Sequence, residues 1–260
     1  MSTPLPTVLF FAGAFSEPSC FDDLAASLQK TGYPTKYSYA LSLNPEDPSS
    51  ASTTKDAQNA RKRYLLPLLD EGRDVVVLVH SYGGVIGGQA ARGLSKASRK
   101  AEGKAGGVIG LLYMVGNIVV DGGTLLEAVG GAYPPFIKQD YPSPGLAVID
   151  PVKDTLYNDL DDVSYSALSQ KLEAAMIPNA LAAFETPATA PAWAEKGFEK
   201  RRAYIRTTHD QTNPAFLQDK WMEDSKVSWE IVKMETGHCP FITNTEETAR
   251  IVKQVIEGWH

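Results

Sequence analysis

Ser81 stands between two stretches of opposite character. Before it, Val75-Val-Val-Leu-Val79 is an unbroken apolar run, mostly β-branched; after His80-Ser81-Tyr82 come Gly83, Gly84, Gly87 and Gly88. The first stretch reads as a buried parallel strand and the second as a small-residue helix. A serine on so sharp a turn has a strained backbone and an exposed hydroxyl. Glycine is needed where strand and helix approach too closely for a Cβ. The helix N-terminus adds free N–H groups and partial positive charge, which suit a developing oxyanion. The chemistry this predicts is nucleophilic attack on a carbonyl. The pattern Gly-x-Ser-x-Gly is met at Gly83 but carries Val79 in its first position. Serine–glycine turns also end ordinary strands, so a base and an acid downstream must decide the matter.

The base is sought among four histidines. His238 lies in Glu235-Thr-Gly-His-Cys-Pro-Phe241, in the loop after the last expected strand. His80 adjoins the serine but is expected to point away from it, His209 sits beside an aspartate, and His260 is the last residue. The acid should follow the preceding strand, where Thr207-Thr-His-Asp-Gln-Thr-Asn-Pro214 supplies Asp210. Carboxyl ends of strands are where ligands and catalysis gather in open α/β sheets. Asp121, after an earlier strand, is the rival; Asp219 and Asp224 read as solvated surface. The order Ser81, Asp210, His238 is that of a nucleophile-elbow hydrolase. Its oxyanion hole needs the N–H of the residue after the nucleophile, Tyr82, and one from the loop after the first strand. That loop is Ala12-Gly-Ala-Phe15, with Ala14 N–H as the second donor.

The elements that must position these groups alternate. A first strand is expected from Val8, running into a Gly-containing turn by Phe15, and further strands over 35–43, 75–79, 107–115, 202–207 and 227–234. Helices are expected over 20–30, from 54 to near 72, after Ser81, over 214–222 and over 246–259. Ser95 to Lys104 reads as a charged loop. Such βαβ alternation calls for a mostly parallel sheet with helices on both faces. From Val119 to Trp193 the rhythm breaks: no strand is evident, prolines, glycines and aromatics are frequent, and short helices are expected over 124–129 and 164–175. This segment is expected to be a lid over the catalytic edge, giving a core of 1–118 and 194–260 and a lid of 119–193. Phe15, Tyr133, Phe136, Phe184, Trp193 and Cys239 are candidate pocket residues. Tyr141, Tyr157 and Tyr165 are further lid aromatics, and Gly130-Gly131 is a candidate mobile lid edge.

Composition narrows the partners. The chain has 260 residues, 43% of them hydrophobic, enough for one sizeable core. No apolar run approaches the roughly 20 residues of a membrane span. Met1-Ser-Thr-Pro-Leu-Pro6 lacks the basic and apolar regions of a secretory signal. Two cysteines, Cys20 and Cys239, make neither a disulfide framework nor a metal cluster, so a reduced, cytoplasmic setting is expected. A net charge of −6 disfavours nucleic acid and anionic membrane, leaving a small-molecule substrate as the expected partner. A monomer or a homodimer is expected.

Phe11-Ala-Gly-Ala-Phe15, Val79-His-Ser-Tyr-Gly-Gly84, Thr208-His-Asp-Gln-Thr-Asn-Pro214, Gly237-His-Cys-Pro-Phe241 and Phe184-Glu-Thr-Pro187 together resemble the α/β-hydrolases. The likeness is to the branch that holds plant methylesterases and hydroxynitrile lyases, and it covers nearly the whole chain. It implies an α/β fold with a helical lid inserted after the sixth core strand, a Ser81–His238–Asp210 triad, and neither metal nor organic cofactor. Relatives often carry His or Pro where this chain has Ala12. Hydroxynitrile lyases carry a lysine just after the catalytic histidine and a threonine in the oxyanion loop. Cys239 and Gly13-Ala14 stand there instead, which disfavours cyanohydrin chemistry. The function expected is a serine hydrolase of a small or medium hydrophobic ester, lactone or thioester. A receptor-like binder with slow turnover and a non-hydrolytic lyase or cyclase are the alternatives on the same fold.

Overall fold

The structure, a computed structural model, describes residues 4–259, so Met1–Thr3 and the expectation for His260 lie outside the described residues. In chain order the strands are β1 (Thr7–Phe11), β2 (Thr35–Ser38), β3 (Val75–His80), β4 (Val108–Met114), β5 (Ile137–Gln139), β6 (Leu146–Ile149), β7 (Asn179–Ala180), β8 (Arg202–Thr207) and β9 (Glu230–Met234). Six of them form one sheet in the order β2-β1-β3-β4-β8-β9, and every pairing in it is parallel. The continuous apolar runs of β1 and β3 are buried along their whole length, as central parallel strands covered on both sides must be. Edge strand β9 instead exposes most of its residues.

The chain leaves β1 for one edge of the sheet through β2, and everything after β3 builds toward the other. Right-handed crossovers then place the helix Asp22–Lys30 and the helix Gly83–Ala90 on opposite faces. Strand β4 shows both faces. Gly110 lies so close to Trp259 that a Cβ there would meet the indole at 2.2 Å, while Tyr113 points the other way and donates to Gly84 O at 3.0 Å. The last helix, Thr245–Glu257, buries Ile251, Val252, Val255 and Ile256 and packs on Asp22–Lys30. Each such side chain contributes roughly 1.5–3 kcal/mol by leaving water. Thr53–Ala60 packs against Gly83–Ala90 on the opposite side.

Several expectations are corrected. The inserted segment follows the fourth strand of the sheet in chain order, not the sixth. It is not wholly helical, because β5, β6 and β7 pair antiparallel into a small sheet of their own. These strands are two to four residues long, too short for a period to register. Ser95–Lys104 is not only loop: Ser95 Oγ accepts the Ser98 N–H and starts a helix over Lys96–Ala101. The second strand stops at Ser38 rather than running to Leu43.

Candidate active site

Five loops meet at the carboxyl-terminal edge of the sheet. At the end of β3 the backbone turns through Ser81 at φ 49°, left-handed for a residue with a side chain, as a nucleophile elbow requires. Ser81 O accepts the N–H of Gly84 and of Asn117, each at 2.9 Å, which fixes the turn against the loop after β4. A Cβ on Gly83 would stand 2.3 Å from Phe11 O, and one on Gly84 would stand 2.5 Å from Asn117 O. The departure at Val79 has a physical answer in Gly87, where a Cβ would lie 2.5 Å from Val79 Cγ1. Bulk added on the strand is matched by bulk removed from the helix.

His238 and Asp210 arrive from the loops after β9 and β8, both buried, with His238 Nδ1 2.8 Å from Asp210 Oδ2. Asp210 is surrounded by donors. Its Oδ1 accepts the N–H groups of Thr212 and Asn213 at 2.8 Å each, and its Oδ2 accepts the Thr207 hydroxyl at 3.1 Å. A carboxylate so placed is an acceptor, which assigns the imidazole proton to Nδ1 and leaves Nε2 free to take one. Ser81 and His238 line the same cavity, although no hydrogen bond joins their side chains among the described residues. Such contacts are often long before substrate binds. The rival Asp121 is elsewhere, accepting the N–H of Ala190.

His80 is the residue that sequence reasoning missed. Its sequence position predicts a ring turned away from the serine and gives it no further part; it lines the cavity and lies 4.6 Å, ring to ring, from His238. Its Nε2 donates to His238 O at 2.9 Å, so it holds the backbone that carries the imidazole. Burial, helped by the neighbouring His238 ring, pushes its pKa well below the ordinary value and keeps it neutral. Nothing in its sequence position distinguishes it from a strand-end histidine facing solvent.

Among the described residues no acceptor takes the N–H of Ala14 or Tyr82, and both residues line the cavity. Loop and elbow are in close contact, since a Cβ on Gly13 would lie 3.0 Å from Ser81 Cβ. The Tyr82 phenol is directed away from chemistry, donating to the buried Asp56 at 2.8 Å, and burial drives its pKa far up. Of the expected pocket residues, Phe15, Tyr133, Phe136, Phe184 and Cys239 line the cavity. Trp193 does not: it is buried beside Gly88 on the elbow helix. Tyr165 donates to Glu173, and Tyr141 is half-exposed beneath the Lys138 ammonium, so neither lines it, whereas Tyr157 does.

The cavity is partly open to solvent and has no Asp, Glu, Lys or Arg in its lining. Aliphatic residues escaped the sequence reading: Leu125, Val129, Ile149 and Leu156, all from the inserted segment, complete its walls. Cys20 and Cys239 also face it as free thiols, and burial raises the pKa of both. Among the described residues no group of three His, Cys, Asp or Glu is placed to hold a metal ion, and no helix is long and apolar enough to cross a membrane.

A parallel six-stranded sheet with a serine elbow at its carboxyl edge and a bonded His–Asp couple beside it defines the α/β-hydrolase class of architecture. Residues 8–251 match the alpha/beta hydrolase family, and the chain belongs to it. It is 26% identical over 254 residues to the alpha/beta hydrolase nvfD of Aspergillus novofumigatus, covering 95% of each chain. A pyrethroid hydrolase from Sphingobium faniae superposes with a TM-score of 0.70 at 16% identity, covering 97% of this chain and 98% of that one. The methylesterase protein MES16 from Arabidopsis superposes with a TM-score of 0.69 at 17% identity, covering 97% and 99%. These two likenesses are likenesses of fold.

Proposed function

We propose that the chain is a serine hydrolase of uncharged, hydrophobic carboxylic esters, lactones or thioesters. Ser81 Oγ attacks the carbonyl carbon as His238 Nε2 takes the hydroxyl proton. The N–H groups of Ala14 and Tyr82 stabilise the resulting oxyanion. His238 returns the proton to the leaving alcohol or thiol, leaving acyl-Ser81. Water then attacks the acyl carbon as its proton passes to His238, which hands that proton to Ser81 Oγ as the C–Oγ bond breaks and the acid departs. Asp210 holds the Nδ1–H tautomer and stabilises the imidazolium. Residues 119–193 act as the lid that supplies most of the apolar wall.

The observation that carries this reading is the 2.8 Å bond between buried His238 and Asp210 at the rim that also holds Ser81. The absence of charged side chains from the cavity lining supports uncharged substrates, because an ionised group brought there would lose hydration without a partner. The esterase activity named for the Arabidopsis protein is of the same type. The test is hydrolysis of p-nitrophenyl acetate, butyrate and monosuccinate. The neutral esters are turned over with a burst, the succinate is poor, and Ser81→Ala removes the activity. Ester hydrolysis that survives in Ser81→Ala would exclude Ser81 as the nucleophile, and tight binding without turnover would favour a receptor.

A further inference from the structure

Asn158 and Asp159 follow the short helix Val152–Leu156 in the inserted segment, and no step of the hydrolysis uses them. Their side chains reach the two loops that bring the imidazole and the carboxylate together. Asn158 Nδ2 donates to the carbonyl of His209, the residue before Asp210, at 2.8 Å. Asp159 Oδ2 accepts the N–H of Gly237, the residue before His238, at 2.8 Å, and the Thr243 hydroxyl at 2.8 Å. A fourth bond runs from Thr212 Oγ1, two residues past the acid, to Thr155 O at 2.8 Å. The fit is close: a Cβ on Gly237 would stand 2.6 Å from Asn158 Oδ1 and 2.7 Å from Asp159 Oδ1. Only glycine lets the loop before His238 come down onto this pair.

The consequence is geometric. The β8 and β9 loops touch each other through the backbone bonds Thr208 N to Met234 O and His209 N to Thr236 O, at 3.0 and 3.1 Å, and through the His238–Asp210 bond itself. The inserted segment adds an outside support to each loop, one residue before the group it must place. An error of about 1 Å in such a group costs about a hundredfold in rate.

We infer that Asn158 and Asp159 are positioning residues, which hold His238 and Asp210 in register and make their alignment depend on how the inserted segment is seated. The inference rests on the reading of His238 as the general base. Its test combines a measurement that needs no substrate with one that does. The low-field proton resonance of His238 Nδ1–H, assigned by its loss in Asp210→Ala, is followed in Asp159→Ala, Asp159→Asn and Asn158→Ala. Asp159→Ala is expected to broaden or remove that resonance and to lower kcat about a hundredfold while leaving KM within about twofold. Asp159→Asn keeps an oxygen for Gly237 and Thr243, so it restores both signals. Asn158→Ala, which loses one hydrogen bond and serves if Asp159→Ala does not fold, gives the same changes in smaller degree. Folded alanine variants with an unchanged resonance and an unchanged kcat overturn the inference. If the resonance is lost but wild-type turnover proves independent of Ser81, the brace stands and the hydrolase reading fails.

Discussion

At the scale of single residues, two histidines in one cavity have opposite roles because their hydrogen bonds differ. His238 gives Nδ1–H to a carboxylate and keeps Nε2 free, whereas His80 spends Nε2–H on the carbonyl of His238. The depressed pKa of His80 has a consequence for stability. The unfolded chain takes up a proton there as pH falls through about 6.5, and the folded chain does not. Stability linked to this group is therefore complete above pH 6.5 and declines below it, by at most about 1.4 kcal/mol per pH unit. Denaturant melts of His80→Gln should be less stable than wild type at pH 8 by about 1–3 kcal/mol, through the lost bond, yet flatter between pH 7 and 5. An equal pH slope in both proteins would remove the burial argument. Ser81, Asp210 and His238 were legible from the sequence because residue type, order and position after strands all restrict them together. His80 was not, because its role depends on which loop happens to cross it.

At the scale of elements, the elbow is anchored from beyond its own strand and helix, and Tyr82 shows how. Its phenol donates to Asp56, which also accepts the N–H and hydroxyl of Ser42 at 3.0 and 2.7 Å. The phenol also approaches Thr53 Oγ1 at 3.3 Å, and Thr53 in turn donates to Ala183 O at 2.6 Å. One polar knot thus ties the elbow, the helix starting at Thr53 and the inserted segment. Burial raises the Asp56 pKa, against the donors that favour its ionised form. Tyr82→Phe should cost about 1–3 kcal/mol in thermal or denaturant unfolding, since a buried acceptor loses a donor. It should leave kcat within about threefold, because the N–H survives; a larger loss would give the hydroxyl a part in catalysis. The strands and long helices were readable because apolar runs and helical spacing persist over several turns. The strands β5 to β7 and the helix Lys96–Ala101 were not, because a few residues among prolines, glycines and charges carry no period.

At the scale of the whole molecule, the cavity belongs to no single element. Its walls join the loops after β1, β3, β4, β8 and β9 to side chains of the inserted segment more than a hundred residues from some of their neighbours. Phe184 is central to it, with ring centroids 5.8 Å from Phe15, 5.2 Å from Tyr82 and 6.5 Å from Tyr133. Phe184→Ala should shift preference toward longer or bulkier acyl groups in a p-nitrophenyl ester series, at a cost of about 3–5 kcal/mol in stability. An unchanged chain-length profile would place the acyl group elsewhere. Of the aromatics that composition and spacing named, Phe15, Tyr133, Phe136 and Phe184 line this wall, whereas Trp193 packs outside it, because side-chain type does not say which side of a helix it meets. The claim on which everything turns is that Ser81 is an activated nucleophile. Intact-protein mass spectrometry after reaction with a fluorophosphonate tests it most directly. One adduct on Ser81, absent in Ser81→Ala and strongly slowed in His238→Ala, is the predicted result. Labelling elsewhere, or none under conditions where the protein still turns over esters, would contradict it.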